Sequence, residues 1–130
     1  MVSQPLPFRL DKAEVIRVDK PWGHELIFAH TARYAGKLLC IRKGHRLSKQ
    51  YHVRKEETFF LQAGRVRVEL EAPDGTARVV ILEPGEALHL VPGTRHRTEA
   101  MEESVIFEVS TPELDDVVRL SDDYGRTAKR

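Results

Sequence analysis

The sequence has few residues of the kinds that staple a fold or anchor it in a membrane. Its 130 residues include one cysteine, Cys40. A single thiol excludes a framework of intramolecular disulfides, and its place in the apolar run 38–41 predicts a small side chain of the core. No apolar run approaches the roughly 20 residues that span a bilayer, and residues 1–10 lack the features of a signal peptide. We therefore expect a reduced, cytoplasmic protein with no membrane partner.

The chain also has almost no net charge. Lys plus Arg number 21 against 20 for Asp plus Glu, which leaves a formal charge of +1. Such a balanced chain has no overall electrostatic attraction to nucleic acid or to an acidic membrane. A chain of this length buries roughly two thirds of the surface that its unfolded form exposes. The composition therefore predicts one domain with its own core and excludes nucleic acid as a partner.

Short apolar runs separated by Gly, Pro or Asp recur from Trp22 onward and predict an all-β fold. Along residues 65–71 charged and apolar residues alternate, which places Val66, Val68 and Leu70 on one face of a half-buried strand. The Pro-Asp-Gly sequence at 73–75 predicts a hairpin turn to the next strand. The predicted strands are 24–30, 34–42, 47–52, 58–62, 66–71, 77–82, 87–91 and 104–109.

Strands at this density on so short a chain favour a jelly-roll barrel. Residues 1–17, with two prolines near the start, are predicted to form an N-terminal arm, residues 18–126 the barrel domain and residues 127–130 a tail. One short helix is predicted over Thr111–Leu120, because Pro112 suits a first turn and the apolar residues that follow have helical spacing. The arm can pair across a two-fold axis, so we expect a homodimer.

The polar residues of segment 44–64 favour a metal site. Gln50 and His52 are two apart on a strand and share a face, and Glu57 can face them if the chain turns at 53–56. His96 follows a Pro-Gly turn that can bring the next strand across the same barrel mouth. An amide, two imidazoles and a carboxylate suit one divalent ion of Mn, Fe, Co, Ni or Zn.

The same segment resembles the first motif of the cupin superfamily, G-x5-H-x-H-x(3,4)-E-x6-G. Gly44, His52, Glu57 and Gly64 stand at the motif positions, and Gln50 takes the place of the first histidine. The second cupin motif, G-x5-P-x-G-x2-H, is matched by the following three residues: Gly85, Gly93 and His96. The resemblance implies a double-stranded β-helix with a metal inside the barrel.

A narrower resemblance, over about residues 18–126, is to the cupin domain of type II phosphomannose isomerases. It is carried by the sequences KPWG at 20–23, LSKQYH at 47–52, HR at 96–97 and VRLSDDYGR at 118–126, together with Lys37. In that family Gln, His, Glu and His hold a divalent metal. The resemblance implies that Gln50, His52, Glu57 and His96 are the metal ligands and that the substrate is mannose 6-phosphate. A guanylyltransferase domain, which often accompanies this cupin, has no room in 130 residues.

The chain departs from the family between the ligands. The family stretch H-H-H-R-A-E-H-W corresponds here to residues 52–59, which read HVRKEETF, so that Lys55 stands at the usual arginine position. This departure bears on isomerase activity more than on the metal site. Moving a proton between two carbons needs a base, for which Lys37, His89 and Glu56 are candidates.

Cations near the metal favour an anionic small molecule, a sugar phosphate in particular. Lys37, Arg54 and Arg97 are the candidate substrate-binding residues, and Lys37, His89 and Arg97 the candidate catalytic ones. Lys37 and Arg54 can equally belong to a solvated barrel face, and His89 points into the cavity or into solvent. Strand alternation turns Arg97 away from His96 unless a bulge intervenes.

Three functions stay open on the sequence alone. The first is isomerisation of a sugar phosphate, and the second is another metal-dependent reaction of a cupin, by an oxygenase or a different sugar isomerase. The third is a sugar- or metabolite-binding cupin without turnover. Metal ligands alone do not separate them, because one fold and one kind of site host many chemistries.

Overall fold

A computed structural model describes residues 11–127, so most of the predicted arm and the end of the tail lie outside the described residues. The strands of the described part are β1 (Ile16–Lys20), β2 (Gly23–His30), β3 (Ala35–Ile41), β4 (Lys49–Tyr51), β5 (Glu57–Ala63), β6 (Val66–Glu71), β7 (Ala77–Leu82), β8 (Ala87–Leu90), β9 (Arg95–Ala100), β10 (Ser104–Ser110) and β11 (Val118–Ser121). The predicted all-β fold is confirmed. β1 crosses the boundary predicted between residues 17 and 18.

The strands form two antiparallel sheets. Six strands lie in the order β1-β2-β3-β10-β5-β8 and five in the order β11-β4-β9-β6-β7. β1 and β11 are therefore edge strands, one in each sheet. The sequence pattern predicts neither of them, because β1 is short and rich in charged residues and the apolar spacing before and within β11 favours a helix.

The core lies between the inward faces of the two sheets and contains the single tryptophan. Its largest fully buried side chains come from both sheets, which explains why residues far apart in sequence pack together. The buried hydrophobic cluster consists of Trp22, Leu39, Ile41, Leu47, Phe59, Leu61, Val66, Val68, Leu82, Leu90, Ala100 and Ile106. Burial of this apolar surface is the main force that holds the barrel together.

The predicted hairpin is confirmed. β6 pairs with β7 in register from Val66↔Leu82 to Glu71↔Ala77, and Val66 and Val68 are fully buried. The backbone N–H of Thr76 donates to Asp74 Oδ1 at 2.9 Å, the local bond that favours Asp in such turns.

Two expectations are wrong. No helix forms over Thr111–Leu120, where the described chain makes turns and then the strand β11. Residues 11–127 also contain no helix that is long and apolar enough to cross a membrane. The turn is held by Asp116, which bonds the loop before β5 in place of a helical ladder. Cys40 is only partly buried, because Leu39 and Ile41 take the core-facing positions of β3.

The turn between β5 and β6 requires a glycine, and Gly64 supplies it. Its φ of 93° lies in the left-handed region, which side chains other than glycine rarely adopt. A Cβ atom there would lie 2.4 Å from the carbonyl oxygen of Glu103. Gly64 therefore allows the chain to pass directly from β5 in one sheet to β6 in the other.

Candidate metal centre

Three side chains from three strand regions converge at one point of the barrel. His52 follows β4, Glu57 begins β5 and His96 lies on β9. Their ligand atoms all lie within 4.8 Å of one another, and each residue is at most 5% exposed. The nearest contacts are 2.9 Å from His52 Nε2 and 3.4 Å from His96 Nε2 to Glu57 Oε2. The structure thus brings together three of the four predicted ligands around a space that fits one ion.

Hydrogen bonds on the far side of each imidazole decide which nitrogen carries the proton. His52 Nδ1–H donates to the carbonyl of Asp116, and His96 Nδ1–H donates to the carbonyl of Thr94. A carbonyl can only accept, so in the neutral imidazoles both Nε2 atoms present lone pairs to Glu57. These two nitrogens and Glu57 Oε2 are buried without a hydrogen-bond donor among the described residues. Three converging acceptors fit a cation.

The electrostatic setting favours the metal-binding protonation states of Glu57 and His96. Burial alone would raise the pKa of Glu57, but neighbouring groups, the charge of Lys55 among them, outweigh it and lower that pKa. Burial lowers the pKa of His96, so its imidazole stays neutral, against the opposing charge of Glu57. Metal ions bind a deprotonated carboxylate and neutral imidazoles.

Gln50 lies beside the triad. It is paired with His96 across the β4–β9 ladder, and it lines the same cavity as His52. Ser48 Oγ donates to Gln50 Oε1 at 2.6 Å, which fixes the direction of the amide. The structure therefore places Gln50 opposite His96 and on the cavity wall, and its role as a fourth ligand stays a prediction.

The loop between β4 and β5 is held by Asp116. Its carboxylate accepts hydrogen bonds from the backbone N–H groups of Val53, Arg54 and Lys55 at 2.6–3.0 Å. The same residue supplies the carbonyl that orients His52. Asp116 thus fixes both the ligand and the turn that leads to Glu57, in the way that outer partners orient metal ligands. No local sequence pattern indicates this role, since residues 53 and 116 are far apart in the chain.

A cavity of about 250 Å³ is lined by His52 of the triad and by Gln50, while Glu57 and His96 do not line it. Five of its lining residues are cations, Lys20, Lys37, Lys55, Arg119 and Arg126. Apolar residues of the core, among them Trp22, Leu39 and Phe59, form its inner wall. A small, polar and anionic molecule fits such a space better than an apolar one.

A buried charge cluster lies behind Glu57. Lys55 Nζ lies 3.4 Å from Glu57 Oε1 and 2.8 Å from Glu108 Oε2. Burial, with the neighbouring charge of Glu57, raises the pKa of Glu108, and the nearby lysines oppose this. Burial alone would lower the pKa of Lys55, but the two carboxylates outweigh it and raise it. Glu108 also lines the cavity.

Sequence reasoning missed Glu108, although a signal was present. Glu108 is a lone carboxylate on a strand face that it shares with Ser104 and Ile106, both fully buried. A charge at a core-facing position of a strand is rare unless it is paired. The alternation of β10 could therefore have singled it out.

The predicted substrate-binding cations have different surroundings. Lys37 lines the cavity and forms an ion pair with Glu25 at 3.3 Å. Arg97 is buried on the face opposite His96 and bonds the carbonyl of Leu47, Ser121 Oγ and Asp123. Arg97 therefore ties β9 to the C-terminal segment and does not line the cavity.

His89 and Arg54 are not brought to the cavity. His89 is exposed on β8, where its Nε2 pairs with the equally exposed Glu56. Arg54 is exposed in the loop after β4 and lines a separate surface depression. Of the residues proposed from sequence as catalytic or substrate-binding, only Lys37 reaches the cavity.

The sequence is similar to parts of longer curated proteins. Mannose-1-phosphate guanylyltransferase of Salmonella montevideo is 28% identical over 114 residues, which are 84% of this chain and 23% of that protein. Glucose-6-phosphate isomerase of Pyrococcus abyssi is 32% identical over 112 residues, 82% of this chain and 54% of that protein. The chain thus spans from about a quarter to about half the length of these curated relatives.

Solved structures share the fold. KdgF from Halomonas sp. superposes with a TM-score of 0.67 at 26% identity over 77% of this chain and 90% of that one. An oxalate decarboxylase of Bacillus subtilis superposes with a TM-score of 0.73 at 14% identity, over 82% of this chain and 30% of that one. A family model described as mannose-6-phosphate isomerase C-terminal matches residues 9–122. With this match over most of its length, the chain belongs to the cupin family of the mannose-6-phosphate isomerase C-terminal domain.

Proposed function

We propose that the protein is a metal-dependent isomerase that interconverts an aldose 6-phosphate and the corresponding ketose 6-phosphate. The observation that carries the proposal is the convergence of three buried acceptor atoms, of which that of His52 belongs to a residue lining a small cavity rich in cations. Relatives named as sugar-phosphate isomerases support the same substrate class.

His52, Glu57 and His96 would hold the divalent ion, with Gln50 as the fourth ligand. When bound, a divalent ion supplies Lewis-acid stabilisation of negative charge that develops on the substrate's oxygens. The mixed nitrogen and oxygen set accepts Zn, Mn, Fe, Co or Ni. The protein's own side chains must carry out the remaining steps.

The isomerisation moves one proton between C1 and C2 of the sugar through an enediol. Glu108 is suited to take and return that proton, because it is a buried carboxylate that lines the cavity. Lys55, 2.8 Å away, holds the carboxylate in place and accommodates its change of charge. A base of this kind contributes roughly 10²- to 10⁴-fold to a rate.

Lys37 is placed to hold the sugar. It lines the cavity from β3, and its ion pair with Glu25 fixes the direction of the ammonium group. In this position it can donate a hydrogen bond to a substrate hydroxyl. Lys37 is therefore proposed as a binding residue.

Two substrates should be tested together. Mannose 6-phosphate and glucose 6-phosphate differ only at C2, and both give fructose 6-phosphate. The protein, reconstituted separately with each of the five metals, is incubated with each sugar in D₂O, and the deuterium at C2 and the ketose formed are measured by NMR. We expect metal-dependent exchange with at least one of the two sugars.

The control is the His52→Ala, His96→Ala double variant, which should show neither exchange nor ketose formation. Bound metal with neither exchange nor ketose formation from either sugar would overturn the proposed function. In that case tight binding of an unaltered sugar phosphate would identify a binding cupin without turnover.

A second variant tests the proposed base. Glu108→Gln should lower kcat by roughly 10²- to 10⁴-fold while the metal content stays at the wild-type level. Equal kcat values in Glu108→Gln and the wild type would exclude Glu108 as the base.

A further inference from the structure

The cations around the cavity differ in whether they have a partner. Lys37 is paired with Glu25, Lys55 with Glu57 and Glu108, and Arg126 with Asp122 through its Nε and Nη2 atoms. Within residues 11–127, no ion pair or side-chain hydrogen bond involves Lys20 or Arg119. The remaining lining carboxylate, Asp115, is exposed to solvent. Two positive charges of the cavity are thus left without a partner.

Arg119 is directed at the candidate metal centre. On β11 it is the direct ladder partner of Gln50 on β4, and directly opposed residues of an antiparallel pair project from the same face. Both side chains line the cavity. Its Nε atom is buried without a hydrogen-bond partner, which is costly for a guanidinium group unless a ligand accepts the bond.

Lys20 approaches from the other sheet. On β1, Val18 and Lys20 are two apart and both line the cavity, so they form the inward face of that edge strand. Burial lowers the pKa of Lys20; the charge of Glu25 opposes this, while Lys37, Arg119 and Arg126 add to the lowering. The ammonium group therefore has three cations and one carboxylate around it, and an anion would offset the excess of positive charge.

We propose that Arg119 and Lys20 form the subsite that binds the phosphate group of the substrate, between the edge strands of the two sheets. A phosphate monoester carries about −1.5 to −2 charges at neutral pH, which matches two unpaired cations. A single carboxylate would neutralise only one of them. The assignment rests on the proposed function for the nature of the sugar, but the choice of these two residues rests on their missing partners.

The geometry of the two groups also suits a phosphate. A guanidinium fork donates to two oxygens at once, and an ammonium group donates to the third. Arg126 lies beside them with its guanidinium already bonded to Asp122. It contributes to the field and leaves the direct contacts to Arg119 and Lys20.

Arg119→Gln and Lys20→Gln test the subsite. Binding of inorganic phosphate and of glucitol 6-phosphate, which lacks a carbonyl and cannot be isomerised, is measured by calorimetry on metal-loaded and metal-free protein. We expect each variant to weaken the binding of glucitol 6-phosphate by about tenfold to hundredfold. Arg119→Lys should recover part of the loss, because it keeps the charge but not the fork.

Arg78→Gln is the matched control, since Arg78 is an exposed cation on β7 and loses the same charge far from the cavity. It should bind glucitol 6-phosphate as the wild type does. Thermal unfolding of every variant verifies that the fold is intact.

The outcomes separate this subsite from the proposed reaction. Phosphate binding that depends on Arg119 in a protein that isomerises no sugar supports the subsite and overturns the reaction. Isomerisation with an unchanged KM in both variants supports the reaction and overturns the subsite. Equal losses in Arg119→Gln and Arg78→Gln would mean that general charge, not a subsite, attracts the anion, and would also overturn it.

Discussion

Two histidine–glutamate pairs lie side by side in this chain and have opposite surroundings. His52 and Glu57 form a pair whose side chains are 5% and 1% exposed, whereas His89 and Glu56 form one whose side chains are 55% and 50% exposed. The two glutamates are neighbours in sequence. The alternation at the start of β5 turns one into the barrel and leaves the other outside it. The same residue types thus form a candidate metal site in one place and a surface ion pair in the other.

The difference shows that a second histidine and buried surroundings distinguish the inner pair. Glu57 also faces His96, and it lies beside Lys55. Within the described residues, His89 has Glu56 as its side-chain partner and no third ligand nearby. Residue type and spacing therefore identify candidates, while burial and a converging third group decide between them.

The largest effect is expected from removing the inner imidazoles. The His52→Ala, His96→Ala variant should lose its metal entirely, from about one ion per chain to none, because neutral imidazoles are strong metal ligands. His89→Ala should keep the wild-type metal content. Elemental analysis of untagged protein provides the measurement, and equal metal loss in the two proteins would contradict the assignment.

A smaller but substantial effect is expected at Lys55. Lys55→Met leaves the carboxylates of Glu57 and Glu108 buried without their shared cation, and such a loss costs about 3 to 5 kcal/mol. Glu56→Gln removes the charge of the outer pair, and exposed pairs contribute roughly 0 to 1 kcal/mol. Urea denaturation of the metal-free proteins measures both. Similar losses of unfolding free energy in the two variants would show that the inner cluster is not electrostatically coupled.

The next effect concerns what orients His52. Asp116→Ala removes the acceptor for three backbone N–H groups of the loop that carries His52. Loss of such an outer partner typically lowers metal affinity by about 10- to 100-fold. The control Asp115→Ala removes an exposed neighbouring carboxylate and should leave the affinity unchanged. Competition with a chelator gives the dissociation constants of the metal. An unaltered metal affinity in Asp116→Ala would exclude this positioning role.

The smallest effect is a pH dependence of stability at Asp122. Its ion pair with Arg126 is intermediate in exposure between the inner and the outer histidine–glutamate pairs. Hydrogen bonds from Arg126 hold the pKa of Asp122 below its ordinary value, although burial opposes them. A lowered folded-state pKa stabilises the protein above the ordinary pKa of aspartate, about 3.9, and this contribution is lost as the pH falls below it. The stability difference between wild type and Asp122→Asn should therefore be present at pH 6 and narrow towards pH 2. A difference that is constant with pH would contradict this.

The parts of the molecule that a local pattern specifies could be predicted from sequence. The strict alternation of residues 65–71 and the Pro-Asp-Gly turn fix β6 and β7. The spacing of Gln50 and His52 places two candidate ligands on one face, since a strand has a period of two, and the turn predicted at 53–56 lets Glu57 face them. The motif glycine Gly64 is a local signal as well, because the turn after β5 needs its left-handed backbone conformation.

The remaining features depend on contacts between distant parts of the chain. Asp116 bonds a loop more than sixty residues earlier, so helical spacing alone gave the wrong structure for its segment. Lys20 and Arg119 are brought to the same cavity by the edges of two sheets. Glu108 needs the whole barrel around it to become a buried carboxylate. No single sequence window contains these relations.

The pairing of β4 with β11 also fixes the positions of two cavity residues relative to each other. Gln50, beside the metal ligands, is paired directly with Arg119, the proposed phosphate-binding residue. In the proposed complex, backbone hydrogen bonds would set the separation between the reacting end and the phosphate end of the sugar. A shift of β11 by two residues would keep its inward face but move the cation by about 7 Å. The proposed assignment thus ties the length of the accepted substrate to strand register, a property that evolution or design can change without altering the candidate metal ligands.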